Sequence, residues 1–164
     1  MSLFEIGQWL EATAMSTWVR ESLYGFPIVV AVHILGLTVS VGTVIWLDLR
    51  LLGVSMLTIP VSHVYRRLMP WTLTGFAVMF MSGSVLFTAY ATAAYGNLYF
   101  RIKVAALLLA GVNALVYHRV TKRQISRWDE ARHPSGPARM AGLVSIVVWV
   151  VVILAGRMMS YTMF

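Results

Sequence analysis

His33, Lys103 and Arg157 are the residues of this 164-residue chain whose types and positions best fit chemistry. Each lies in a different run of about 20 apolar residues and only a few residues from the same end of its run. His33 is about seven residues in, or ~10 Å below the boundary at helical rise, and Lys103 and Arg157 are each about four residues in. An ionisable side chain in such a run is costly and is by default a candidate functional group. An imidazole inside a helical bundle either hydrogen-bonds a neighbouring helix or ligates a metal, and haem iron is commonly held by such a histidine. Lys103 and Arg157 then stand where two haem propionates need cations. The plainer alternative is that both snorkel to the lipid headgroups.

The remaining polar residues of the apolar runs give less. His118 lies about 15 residues beyond Lys103, ~22 Å along a helix, so it cannot share one iron with His33. It either joins His63 at a second metal site or is an interfacial residue beside Arg119 and Lys122. Lys103 itself, a methionine such as Met158, or no protein group completes the coordination at His33. His133, before Pro134, reads as loop. Asn113 is predicted to hydrogen-bond across the bundle. Asp48 and Arg50, in LDLRLLG, close the first run as an ion pair or by holding a neighbouring loop.

Several chemistries are excluded. The chain has no cysteine, hence no disulfide, thiolate metal site or cysteine nucleophile. It has no Gly-rich phosphate loop, no HExxH pair and no GxSxG nucleophile. Carboxylates are almost missing from the apolar runs, which removes support for a transporter of the acidic, cation-coupled type. The ten methionines, among them Met79, Met81, Met158 and Met159, either suit Cu(I) through their thioethers or fill apolar helices.

The elements that must position these groups follow from composition. Hydrophobic residues make up 59% of the chain and charged ones 12%, with a mean hydropathy of +0.77; a soluble domain carries about 25% charged residues. That excludes both an ordinary soluble globule and disorder. The expected fold is all-α: a single domain, residues 1–164, forming a four-helix membrane bundle with spans at about 26–47, 71–94, 99–118 and 140–161. Pro70 is read as the boundary before the second span, with a separate basic surface helix over 59–68. Residues 127–137, rich in Pro and Gly, read as a solvated turn.

Residues 1–20 carry Glu5 and Glu11 and no early cation, unlike a secretory signal. Leu3, Ile6, Leu10 and Ala14 recur at helical spacing beside Trp9 and Trp18, which predicts an amphipathic helix lying in the membrane interface or a fifth short core helix. His33 shares a face with Gly36, Ser40 and Val44, and Lys103 with Ala106, Ala110, Ala114 and Tyr117. Gly75, Ser82, Ala89 and Ala93 line up on the second span, and Gly142, Trp149, Gly156 and Ser160 on the fourth. Such small residues serve close helix packing or leave room for a flat cofactor.

The net charge of +7 is assigned to loops at a membrane rather than to nucleic-acid binding. Arg50, Arg66, Arg67, Arg119, Lys122, Arg123, Arg127, Arg132 and Arg139 fall at one end of the spans, against Arg20, Arg101 and Lys103 at the other. Loops enriched in Lys and Arg stay in the cytoplasm. Residues 48–70 and 119–139 are therefore expected in the cytoplasm, with both termini outside, in a bacterial inner membrane.

Four stretches resemble an uncharacterised bacterial family of four-helix membrane proteins: Glu21–Gly53, Arg66–Phe76, Tyr99–Arg119 and Ala155–Tyr161. More distantly, the order of features resembles HemJ-type protoporphyrinogen oxidases and, more loosely, CopD-type copper-resistance proteins. In the HemJ type an early helix carries a functional histidine, and a later helix opens with an aromatic–x–x–Lys-like stretch and ends in Tyr-His. The matching positions are His33, Lys103 within YFRIKV, and Tyr117-His118. The resemblance implies bound haem b, His33 as its ligand and Lys103 as a cofactor or substrate contact. The chain departs from that type in having AGR at Ala155–Arg157 where the type carries a charged–Pro motif, and in running from its first span into LDLRLLG.

The expectation is a b-type haem protein of the membrane, acting in electron transfer or a redox reaction with a partner protein or quinone. A copper or small-solute permease is the first alternative. The second is a non-catalytic anchor or assembly subunit within a homo- or hetero-oligomer.

Overall fold

The computed structural model describes residues 2–130 and 135–163, with side chains over 2–119 and 135–163. Its elements are α1 (Leu3–Glu11), α2 (Ala14–Glu21), α3 (Gly25–Leu52), α4 (Val61–Ala89), α5 (Ala91–Gly96), α6 (Leu98–Glu130) and α7 (Gly136–Met163). Four of these, α3, α4, α6 over Leu98–Arg119, and α7, are long and apolar enough to cross a bilayer. In hydrocarbon every backbone polar group must be satisfied internally, and a helix does this within one segment. The all-α, four-span expectation therefore holds.

Several boundaries differ from the sequence reading. Pro70 lies inside α4, so the expected surface helix and the second span form one continuous helix. Proline removes one backbone donor, which kinks a helix, but unwinding it in apolar surroundings would expose more groups than it relieves. The second span also stops early, at Ala89, where Tyr90 adopts φ −136° and ψ 38° and α5 begins. That break shifts the buried face to Ala91 and Ala94 and leaves Ala93 outside. At the other end of the bundle α6 continues to Glu130 and α7 opens at Gly136, so both exceed their expected limits.

The amino-terminal segment is two helices rather than one. Thr13 breaks it, its hydroxyl capping α2 by accepting from Ser16 N. Leu3, Phe4, Ile6 and Trp9 remain exposed, whereas Gly7, Ser16 and Val19 pack inward. The docking is polar: the Glu11 carboxylate accepts from Thr92 N (2.8 Å) and Thr92 Oγ1 (2.6 Å). Arg20 donates to the Ala89 carbonyl (2.9 Å) and the Glu11 carbonyl (2.7 Å). An anion thus sits at the start of α5 and a cation at the end of α4, each matching the partial charge of a helix terminus.

The bundle runs up and down. Helix α3 packs along both α4 and α7, and α7 also packs along α6, whereas the α4–α6 seam is thin. This leaves α3 and α6 opposite each other. Glycines set the closest crossing: a Cβ on Gly75 would lie 2.6 Å from Ser40 N, and one on Gly36 would lie 2.9 Å from Met79 N. A second close approach places Gly142 of α7 against the Asp48 backbone. Around these crossings Val41, Ala106, Trp149 and Val152 form one core cluster, with Phe76 stacked on Trp149 at 5.4 Å. Leu47, Leu51, Val61, Val64, Tyr117 and Ala138 form another, toward the α3–α4 loop.

Candidate functional site

His33 sits two turns into α3, half-buried against α4. Its Nδ1 is 3.1 Å from Ser82 Oγ. The Ser82 hydroxyl donates back to its own helix at Val78 O (2.6 Å), which leaves its lone pairs toward the ring. The Met79 backbone hydrogen-bonds the same imidazole. The next residue is Gly83, where a Cβ would lie 3.0 Å from His33 Cε1 and 3.4 Å from Nδ1, so an edge of the ring occupies the space that a side chain would take. A histidine fixed through Nδ1 presents Nε2 for other work, which is how second-shell partners orient metal-ligating imidazoles.

Lys103 comes to this imidazole from the opposite helix. It lies within electrostatic range of His33, and its aliphatic stem rests on Gly156 of α7, where a Cβ would be 3.6 Å from Nζ. No described residue hydrogen-bonds or ion-pairs with its ammonium. Every donor of this half-buried ammonium is therefore available to a group outside the described residues.

Arg157, one residue beyond Gly156, is turned away. Its guanidinium lies over the Tyr161 ring at 4.7 Å and donates to Tyr161 Oη at 2.9 Å, in an exposed position. The structure thus leaves Lys103 within electrostatic range of His33 and anchors Arg157 nearer the end of α7.

His118 stands far from this group, at the α3–α4 loop end. Its Nδ1 is 3.0 Å from Tyr65 Oη, and the two rings stack at 6.5 Å. His63 faces a neighbouring groove instead, and among the described residues no three His, Asp or Glu gather as a metal cluster. His133 lies outside the described residues. Met79 is part of the core, whereas Met81 and Met158 are exposed. Asn113 does cross the bundle, Nδ2 donating to Ala141 O at 3.1 Å. Arg50 does hold the neighbouring loop: it is 2% exposed and Nε donates to Ile59 O at 2.9 Å. Asp48, 4% exposed, lies against the Ser145 hydroxyl of α7.

Sequence reasoning registered Ser82 only as a small residue and missed Gly83, Tyr65 and Ser145. The Ser82-Gly83-Ser84 run, polar and small within a span, was the available signal for the first two.

Fold and site together define a helical membrane protein with four helices long and apolar enough to span a bilayer and so to meet lipid, with Lys103 of the third within electrostatic range of His33 of the first. The chain belongs to DUF6644, a family of unknown function, whose pattern it matches over residues 8–162. No curated protein and no solved structure matches it.

Proposed function

We propose that this protein is a b-type haem protein of the bacterial inner membrane, serving electron transfer or another membrane redox reaction. The observation that carries the reading is the His33–Ser82 contact, which engages Nδ1 and orients the imidazole, supporting Nε2 as the iron ligand. Only a neutral imidazole nitrogen ligates a metal, and a hydrogen-bonded Nδ1 is the usual way to orient it. Two further features support it: Gly83 and Gly156 let the His33 ring and the Lys103 stem lie close to the neighbouring backbones, and the Lys103 ammonium has no acceptor among the described residues. In this reading His33 holds the iron and Lys103 takes a propionate. Arg157, held on Tyr161, stands nearer the membrane surface, where a second propionate or a headgroup meets it. Bound haem would supply one-electron redox chemistry, while the protein sets axial ligation, hydrogen bonding and exclusion of water.

The distant likeness to HemJ-type proteins, through His33, Lys103 and Tyr117-His118, supports the same cofactor. The excess of Lys and Arg supports an orientation with residues 48–70 and 119–139 in the cytoplasm and both termini outside. A redox partner protein or a quinone is the corresponding electron donor or acceptor.

The test is an absorption spectrum of the detergent-purified protein from haem-supplied cells, oxidised and reduced. A Soret band that shifts on reduction is expected, with at least tenfold less bound haem in His33→Ala. Ser82→Ala is expected to retain haem with an altered midpoint potential, since the imidazole loses its orienting partner. A colourless, folded wild-type protein overturns the proposal.

A further inference from the structure

A groove of about 560 Å³ opens at the α3–α4 loop end, on the far side of the bundle from His33. It is lined by Trp46, Met56, Ile59, His63, Val64, Arg67 and Leu68. All but two of these residues are apolar. Beside it lies a smaller hollow lined by His63, Arg66 and Arg67, sharing two residues with the first. An apolar trough thus runs directly into a pocket of two guanidiniums and an imidazole.

The groove is built by buried structure. Helix α3 ends at Gly53, φ 75°, with Gly53 N donating to Arg50 O and Val54 N to Leu49 O, the reciprocal bonds of a left-handed glycine cap. The following loop places Met56 at φ 53°, a conformation costly for any residue but glycine. Two contacts hold it there: Ile59 N donates to Met56 O at 3.0 Å, and Arg50 Nε to Ile59 O at 2.9 Å. Arg50 is thus spent on the inner side of the loop, holding the wall that Met56 and Ile59 present to the groove. Arg66 and Arg67 are exposed on the first turns of α4 and neither is hydrogen-bonded or ion-paired to a described residue.

Trough and pocket differ in the chemistry they accept, and together they require an amphiphile with an anionic head. Trp46, 53% exposed at the trough, is the residue type that collects at the level of lipid headgroups. Basic pockets among membrane helices bind phosphate-bearing lipid heads, and each Lys or Arg near an anionic surface contributes about 1 kcal/mol. A soluble anion would use the hollow and leave the trough wet.

We propose that this groove binds an anionic phospholipid, one acyl chain lying along Trp46, Ile59, Val64 and Leu68 and the phosphate held by His63, Arg66 and Arg67. The site is independent of the haem reading. It ties the loop to the bilayer and gives the exposed arginine pair a single ligand.

The test is native mass spectrometry of the full-length protein, released from detergent supplemented with equal amounts of phosphatidylglycerol and phosphatidylcholine. Wild type is expected to retain one phosphatidylglycerol in clear preference to phosphatidylcholine. Arg66→Gln with Arg67→Gln is expected to reduce that preference about 30-fold, two charges' worth. Both side chains are exposed, so folding is not at issue. Ile59→Trp, which fills the trough and leaves the charges, is expected to lower retention of phosphatidylglycerol; its size-exclusion profile checks that it folds. Equal retention of both lipids by wild type overturns the proposal, as does unchanged retention in either variant. Displacement of the lipid by millimolar inorganic phosphate would make this a free-anion site and overturn it equally.

Discussion

Helices α3 and α4 meet backbone to backbone, whereas α6 and α7 meet through side chains. In the first hairpin Gly36 and Gly75 admit main chain where a methyl group would not fit, and hydroxyls bridge the seam on either side: Thr43 to Thr72 at 2.7 Å and Ser82 to the His33 ring. In the second, Asn113 reaches Ala141 O and Asn97 reaches Thr162 Oγ1, while Gly156 meets only the stem of Lys103. Just 6% of the α6 span is buried, against 33% of the α7 span, which makes α6 the outlying helix. The difference teaches how one bundle treats an imidazole and an ammonium at similar depth. The imidazole is clamped by a rigid seam, and the ammonium is laid on a smooth one with its donors open.

Substitutions at the two seams separate these modes. The largest effect is expected for Gly75→Ala, whose new methyl would meet Ser40 main chain at 2.6 Å. Neither backbone can retreat without parting the helices, so the loss is expected to be about 2–3 kcal/mol, read as a lowered midpoint of thermal unfolding in detergent. An unchanged midpoint would show that α3 and α4 do not cross where described. Asn113→Ala removes one interhelical bond, which in membrane proteins averages about 0.6 kcal/mol, and a correspondingly small decrease is expected. A loss as large as that of Gly75→Ala would make the second seam as tightly specified as the first. Gly156→Ala meets Lys103 Nζ at an ordinary contact distance of 3.6 Å, so stability is expected to stay within about 0.5 kcal/mol. If this variant instead destabilises like Gly75→Ala, the open floor beneath Lys103 is not there.

The spans were legible because hydropathy is a local property and a bilayer demands about 20 apolar residues each time. His33 and Lys103 were legible as a pair because counting residues along two helices gives depth. Rotation about each helix axis was not. Arg157 has the right depth, yet turns to Tyr161 four residues on, a partner whose competing claim the depth argument ignored. Pro70 misled because its rule comes from helices that can stop in water. The break at Tyr90 was illegible for another reason: what satisfies the freed Ala89 carbonyl and Thr92 N–H is Arg20 and Glu11, far back in the chain. The amino-terminal stripe of Leu3 and Ile6 was correctly read as apolar, but the packed face uses Gly7 and Ser16, which carry little hydrophobic signal, beside Val19.

The clasp of Glu11 on Thr92 spans 81 positions of sequence, and this dictates an order of assembly. While the chain is being synthesised, the donors for the Glu11 carboxylate do not exist until the second span has been threaded into the bilayer. The amino-terminal helices must therefore wait, undocked, through the insertion of the first hairpin, and their closure reports that α3 and α4 are both in place. Nascent chains arrested before Thr92 emerges should be cut by protease near Ala12–Thr13, and chains arrested well beyond it should resist. Equal cutting at both lengths would mean that the latch plays no part in maturation.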